Sequence, residues 1–278
     1  MLPASRPGGS GMVSSTEFAE ASMRLKDRVA LVTGGGTGLG RATAELLARE
    51  GAKVAVNYSQ SRDAAEEAVR VIVAAGGAAI AVRASVSVDA EVKAMMAAVE
   101  REFGHLDILV NNAGWSQRVP HHQLDDLTDE IWDRTLNTNL RGAFYCVRAA
   151  EPLLRRRDGA SVVNIASVAG LSGMGSSIAY AASKGAMITM TKSLARALAP
   201  AIRVNAIAPG FVRTRFANWP SSAFDEGEEQ APLGRLATAE DVAKTVLFLV
   251  ADAVATTGET IVVDGGTTEL GPRSRKHV

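Results

Sequence analysis

The sequence predicts a single doubly wound α/β domain: a mostly or fully parallel seven-stranded sheet with helices on both faces. Three observations carry that prediction. Short β-branched runs alternate with longer helical ones from Arg28 onward. Most of the strand-like runs are too continuously apolar for a sheet with one wet face. The residues best suited to chemistry stand directly after those runs, and open α/β sheets bind their ligands at the carboxyl ends of the strands. Strand and helix alternation of this kind implies right-handed crossovers and parallel pairing.

In chain order, VALVTG is the first strand, and GGGTGLG follows it to open a helix that continues as RATAELLARE. KVAVNY is the second strand, ending in NYSQS, and DAAEEAVRVIVAA is the helix after it. AAIAVRA and the helix VDAEVKAMMAAVEREF come next, then the strand LDILVNN with NNAG at its end. SVVNIAS is the fifth strand and ends on Ser167, ITMTKSLARAL is helical, and IRVNAIA leads into APGFVRT. ETIVVDG closes the sheet. Neither a repeat nor a second domain interrupts the pattern, so the domain is expected over residues 25–270. Residues 1–24 are rich in Gly, Ser, Pro and Ala without the apolar run of a signal peptide and read as a disordered extension, with 271–278 as a tail.

Composition narrows the function. With 278 residues, 47% hydrophobic and 22% charged, the chain is able to bury a sizeable core. Thirty basic and thirty acidic side chains cancel, so no global field recruits nucleic acid or an anionic membrane. A small, roughly neutral partner is expected. No stretch sustains the ~18 apolar residues of a membrane span, and the protein is placed in the cytoplasm. The one cysteine, Cys146, lies in the apolar helical pattern FYCVRAA and reads as packing. His121 and His122 are adjacent rather than spaced as ligands, so no metal is expected. Arg155 to Arg157 read as a solvated helix end.

In TGGGTGLG, Gly34, Gly38 and Gly40 follow a strand and open a helix, so backbone N–H groups and the helix N-terminus are able to approach a pyrophosphate. The spacing is G-x-x-x-G-x-G. The second strand ends on Tyr58 where a cofactor with a free ribose 2′-hydroxyl usually meets an acid. Ser59, Gln60, Ser61 and Arg62 follow, offering hydroxyls and a guanidinium suited to a 2′-phosphate. NADP(H) is therefore favoured over NAD(H).

YAASK, residues 180–184, puts Tyr180 one helical turn before Lys184. Making a tyrosine useful near neutrality requires a shift of about three pH units, or ~4 kcal/mol. One ammonium at ~4 Å supplies about that much at an effective dielectric of ~20, before desolvation opposes it. Ser167, thirteen residues earlier, is able to face the same cleft.

Together with NNAG, Asn139, Pro209-Gly210 and the closing VDGG, these residues make Leu25 to Gly266 resemble the short-chain dehydrogenase/reductase family, whose fold is Rossmann-like. The resemblance implies reversible hydride transfer between a nicotinamide and a carbonyl or secondary alcohol, with Asn139, Ser167, Tyr180 and Lys184 as the catalytic set. It implies cofactor contacts at Gly34, Thr37, Gly38, Leu39, Gly40, Tyr58, Ser59, Ser61, Arg62, Ser85 and Val86. Further contacts fall on Asn112, Ala113, Gly114, Tyr180, Lys184, Pro209, Gly210, Val212 and Thr214. Thr37 and Ser85 depart from the family, which often has a basic residue and an aspartate there. Lys184 is implied to hold the nicotinamide ribose, and Asn139 to help hold a proton-relaying water. A homotetramer is also implied, supported by the apolar Met187, Met190 and Leu194.

Residues 216–235 leave the sheet pattern and read as a mobile lid. With Trp115, Met174, Ser177, Ile178, Phe216 and Trp219 the pocket should be mainly apolar with little fixed charge, which disfavours a free carboxylate. Relatives that reduce 3-oxoacyl groups on acyl carrier protein supply the leading substrate. A sugar, polyol or xenobiotic carbonyl is the alternative, and an NADP-sensing module without catalysis is the reading from another class. Pro200 and Ala201 stand where those reductases commonly carry a basic residue.

Overall fold

The computed structural model describes residues 23–273. The expected extension therefore lies outside the described residues except for Met23 and Arg24, and so does most of the expected tail. Arg24 already belongs to the fold, since it pairs with Glu50 at 2.8 Å and Asp252 at 3.1 Å.

The first half runs β1 (Val29–Val32), α1 (Gly38–Arg49), β2 (Lys53–Tyr58), α2 (Arg62–Ala74), β3 (Ala79–Arg83), α3 (Asp89–Phe103) and β4 (Ile108–Asn111). The second runs α4 (Asp129–Leu136), α5 (Gly142–Leu154), β5 (Ala160–Ile165), α6 (Ala169–Ser172), α7 (Ile178–Leu198) and β6 (Ile202–Pro209). It closes with α8 (Ser221–Gln230), α9 (Ala239–Leu247), β7 (Thr260–Val263) and α10 (Thr267–Leu270). The sheet is seven-stranded and wholly parallel, in the order β3-β2-β1-β4-β5-β6-β7. Strand order reverses between β1 and β4, the position where such sheets open a crevice at their carboxyl edge.

Side chains of a strand alternate faces, and in β1 both faces are dry. Ala30 and Val32 join the core under α1, α2 and α9, while Val29 and Leu31 join the core under α3, α5 and α7. This is why the strand runs are apolar without alternation. Cys146 is fully buried in the second core, and burial pushes its thiol up to about 12. No helix among the described residues is long and apolar enough to cross a membrane.

Two irregular turns matter. Residues Asn137–Arg141 form a π-helical turn between α4 and α5, closed by Gly142 N–H donating to the Asn137 carbonyl. A second, Phe248–Asp252, follows α9. The Arg203 guanidinium from β6 satisfies its carbonyls, donating to Leu249 O at 2.7 Å and Ala253 O at 3.0 Å. A wide turn leaves such groups without helical partners, so a nearby donor offsets the loss.

The edge of the sheet opposite the crevice is fastened by Asp107, which is 1% exposed. Its carboxylate accepts from Val29 N–H at 2.8 Å, Arg28 at 2.8 Å and Arg157 at 2.9 Å. Arg157 is thus an ion-pair partner rather than a solvated helix end, while Arg155 and Arg156 pair on the surface with Glu151 and Glu100. Burial pushes the Asp107 carboxyl up, but the Arg157, Val29 and Arg28 hydrogen bonds together hold it below the usual aspartate value. A carboxyl lowered in the folded state stabilises fully above its unfolded range, about pH 4, and that contribution is lost as pH falls through the lowered value. Asp107→Asn is therefore expected to cost about 2–3 kcal/mol in urea denaturation at pH 7. The gap from the unsubstituted protein should close in acid, and a gap that stays constant with pH would refute the ionic account.

Candidate active site

The loop after β1 is built on close backbone approach. A Cβ on Gly40 would stand 2.5 Å from Asn112 Nδ2 and would run into the Gly34 carbonyl, so only glycine fits there. Gly34 itself sits at φ +61, where a side chain is strained. Thr33 Oγ1 accepts from Asn112 N–H and Ala113 N–H, both at 2.9 Å, and Asn112 Nδ2 donates to Thr33 O at 2.8 Å and Gly34 O at 3.1 Å. Asn57 Oδ1 accepts from Gly34 N–H at 3.2 Å. The loop is thereby fixed to both neighbouring strands. Thr37 is the N-cap of α1 but its side chain caps no N–H, which leaves the first-turn donors of a twelve-residue helix at the mouth of the crevice. Thr214 Cγ2 lies 3.5 Å from where a Gly38 Cβ would be. A pyrophosphate fits this donor set. Leu39 and Val212 pack against the core beneath it.

Beside the loop, Tyr58 ends β2 and is half-buried, with Ser59 and Ser61 exposed after it. Arg62 is spent on Glu66 at 2.7 Å. Strand register sets Arg83 next to Tyr58, on the same face of the sheet. It is exposed and forms no ion pair among the described residues. The sequence reading missed Arg83, because only the parallel register of β2 and β3 brings it to Tyr58. Ser85 N–H donates to Glu91 at 2.8 Å, and the Val86 side chain is buried against Gly142. Only the backbone of Val86 is therefore on offer to a ligand.

The structure brings Ser167, Tyr180 and Lys184 together. Ser177 caps α7 by accepting from Tyr180 N–H at 3.2 Å, so the helix starts ten residues before the ITMTKSLARAL run. Ser177 is fully buried in that role and does not line the pocket as expected. Ser167 stands near enough to Tyr180 to pull its ionisation downward, and its Oγ also accepts from Ala169 N–H at 3.1 Å. Lys184 is 4% exposed, donates to Ile165 O at 2.6 Å, and stands 5.7 Å from the centre of the Tyr180 ring. Burial pushes the Tyr180 hydroxyl up to about 12 against the opposing pull of Ser167, and pushes Lys184 down to about 8. Desolvation, which the ammonium argument left aside, is thus the leading effect on both groups.

Asn139 lies within the π-helical turn and is fully buried. Its amide accepts from Trp115 N–H at 2.7 Å and donates to Trp115 O and Ser183 Oγ, both at 3.0 Å. Ser183 in turn donates to the Tyr180 carbonyl at 2.7 Å. Asn139 thus ties the loop after β4 to α7, and Ser183, inside YAASK, is a link the sequence reading passed over.

Pro209 and Gly210 leave β6 beside this cluster, the Pro209 carbonyl accepting from Val168 N–H at 3.0 Å. The expected lid, residues 216–235, is folded into a 3-10 turn at Phe216–Asn218 and α8. The Phe216 ring lies 5.6 Å from the Tyr180 ring, and Trp219 meets Phe211 edge-on at 5.2 Å. Met174 is 73% exposed, and Trp115 lies under Arg134 at 4.3 Å. Arg118 stands over Trp219 at 5.8 Å. Two of the rings expected to line a pocket of little fixed charge, Trp115 and Trp219, therefore each stand beside a guanidinium. His121 and His122 are exposed in a turn.

A parallel sheet with a glycine loop at its switch point and a serine, tyrosine and lysine at the adjoining strand ends defines the class of nucleotide-dependent oxidoreductases. Residues 34–268 match the family model described as enoyl-(acyl carrier protein) reductase. The chain is 42% identical over 244 residues to the 3-oxoacyl-(acyl-carrier-protein) reductase of Staphylococcus epidermidis, covering 86% of this chain and 98% of that one. A crystal structure of a short-chain dehydrogenase/reductase from Burkholderia xenovorans superposes with a TM-score of 0.80 at 40% identity, over 84% of this chain and 95% of that one. One from Brucella melitensis, described as a glucose/ribitol dehydrogenase, gives 0.80 at 33% identity, over 88% and 98%. The chain belongs to the short-chain dehydrogenase/reductase family. It is a nicotinamide-dependent oxidoreductase acting on carbonyl and hydroxyl carbons.

The close approach at Gly40 is testable without any ligand. Gly40→Ala should lower stability by about 1–3 kcal/mol, since backbone and Asn112 must both give way. Thermal melts that match the unsubstituted protein would show that the loop yields freely.

Proposed function

We propose that the chain reduces a 3-oxoacyl thioester with NADPH, with Ser167, Tyr180 and Lys184 as catalytic residues and Asn139 as their support. The observation that carries this reading is the convergence of Ser167, Tyr180 and Lys184 beneath Phe216. The 42% identity to a 3-oxoacyl-(acyl-carrier-protein) reductase supports the substrate. The nicotinamide, when bound, supplies the hydride. Ser167 donates its hydroxyl to the substrate oxygen, where negative charge develops. Tyr180, protonated throughout the neutral range, gives its proton to that same oxygen. Lys184 keeps one N–H on Ile165 O and has two more for the ribose hydroxyls and for restoring the phenol proton. The soluble side of a cell, the cytoplasm, is the compartment proposed.

The preference for NADPH is supported by Tyr58, which offers no carboxylate to a 2′-hydroxyl, and by Arg83 beside it, which forms no ion pair among the described residues. Arg83→Ala should weaken NADPH binding about tenfold and leave NADH unchanged, read by fluorescence titration. Tighter binding of NADH by the unsubstituted protein would overturn the preference. A homotetramer is also proposed, but not through Met187, which is fully buried in its own chain's core. The exposed Phe144 on α5 and Phe248 after α9 are among the apolar side chains left for contact. Light scattering should give about four times the 29.0 kDa chain mass.

Tyr180→Phe should cut turnover about 10²–10⁴-fold while leaving cofactor titration unchanged, because only the transferable proton is lost. Lys184→Ala should weaken both. The rate of reduction by the unsubstituted enzyme should fall as pH rises past about 8, where Lys184 loses its proton. NADPH oxidation against acetoacetyl thioesters, ribitol-type polyols and simple ketones distinguishes the substrates. Turnover by Tyr180→Phe close to the unsubstituted rate would refute the assignment.

A further inference from the structure

Arg118 is held in place with unusual firmness for an exposed arginine. On one side of it Ser116 Oγ meets Ser176 Oγ at 2.5 Å, and on the other Val119 N–H donates to Ser176 O at 2.8 Å. Ser176 adjoins Ser177, the cap of the helix that carries Tyr180. The position of Arg118 is thus referred directly to the reacting hydroxyl. Its guanidinium carbon stands over the Trp219 ring at 5.8 Å from the centre, and Trp219 meets Phe211 edge-on. It therefore spans the seam between the loop after β4 and the segment after β6, which bound the cleft from opposite sides.

Its charge is not neutralised. Arg118 forms no ion pair among the described residues. Arg213, which also lies over a ring of this segment, Phe224 at 5.6 Å, is tied down by Asp225 at 2.7 Å and Glu228 at 2.8 Å. A guanidinium without an ion-pair partner keeps its N–H groups available, and that planar fork matches two oxygens of a phosphate. Trp219 lies beside Arg118 and Phe216 beside Tyr180, so rings of the one segment after β6 neighbour both the guanidinium and the reacting hydroxyl.

We propose that Arg118 binds the 4′-phosphate of a pantetheine arm, so that the substrate is recognised at its far end as well as at its carbonyl. This rests on the thioester reading above. The arm's methylenes run along those rings, and its phosphate remains at the half-wet rim. That phosphate is held in a phosphodiester to serine in a carrier protein and in a pyrophosphate in coenzyme A, so both sources present it.

The test compares acetoacetyl-CoA, the acetoacetyl carrier protein and acetoacetyl-N-acetylcysteamine, which lacks the phosphate. Arg118→Gln should raise KM for the coenzyme A and carrier-protein thioesters about tenfold with kcat within about twofold, and leave the phosphate-free thioester unchanged. Arg118→Lys should recover part of the loss, since the charge returns without the fork. A rise confined to the carrier protein would place Arg118 against the carrier's own surface rather than the pantetheine phosphate and would overturn the proposal. An equal rise for all three thioesters would make Arg118 a mere latch on Trp219 and overturn the proposal, as would no rise in any. Failure of the unsubstituted enzyme to reduce any of the three refutes instead the thioester reading on which it stands.

Discussion

One hydroxyl holds the crevice in shape. Thr33 Oγ1 accepts two successive backbone N–H groups, from Asn112 and Ala113, and so clamps the carboxyl ends of β1 and β4 where strand order reverses. Without that clamp the two loops would diverge, since they belong to crossovers that leave the sheet on opposite faces. With it, Asn112 comes close enough to Gly34 and Gly40 for its amide to carry the glycine turn. The donors at the start of α1 and the loop toward Trp115 then face one space.

The second half of the crevice is set by buried amides rather than by apolar packing. Asn111 donates to Asn164 at 2.9 Å, and Asn164 to Thr191 at 2.9 Å, joining β4, β5 and α7 in one line. Asn139 and Ser183 make the parallel connection nearer the cleft. Buried polar groups are costly unless satisfied, so such a line permits few alternative placements of α7. That rigidity is what a proton-transfer site needs, because donor and acceptor must meet within hydrogen-bond reach.

Most of the fold was legible because both faces of the sheet are covered, which makes its strands continuously apolar and its loops polar. GGGTGLG, NNAG and YAASK were legible for a related reason: each sits at a strand end or helix start where local spacing fixes geometry. The parts that were not legible depend on register or tertiary burial. Arg83 reaches Tyr58 only through the β2–β3 pairing, and Arg157 reaches Asp107 only after β1, β4 and β5 assemble. Ser177 looked like a pocket residue and is a helix cap. Met187 looked like a contact for another subunit and fills its own core. The ionisation of Tyr180 departs from the Coulomb figure because the opposing desolvation depends on how deeply both partners lie, which only the folded chain sets.

The π-helical turn at Asn137–Arg141 makes the helix between β4 and β5 longer by one residue than its axial span requires. That surplus rotates α4 relative to α5, so the face presenting Arg134 to Trp115 and the face burying Cys146 obey different helical phases. A chain shortened by one residue there could regain an unbroken helix and lose little packing on α5. The Asn139 amide would turn away from Trp115, and the loop after β4 would lose the strap that holds it to α7. The surplus residue is thus a tolerance on length: the sheet side is indifferent to it, and the cleft side is built on it.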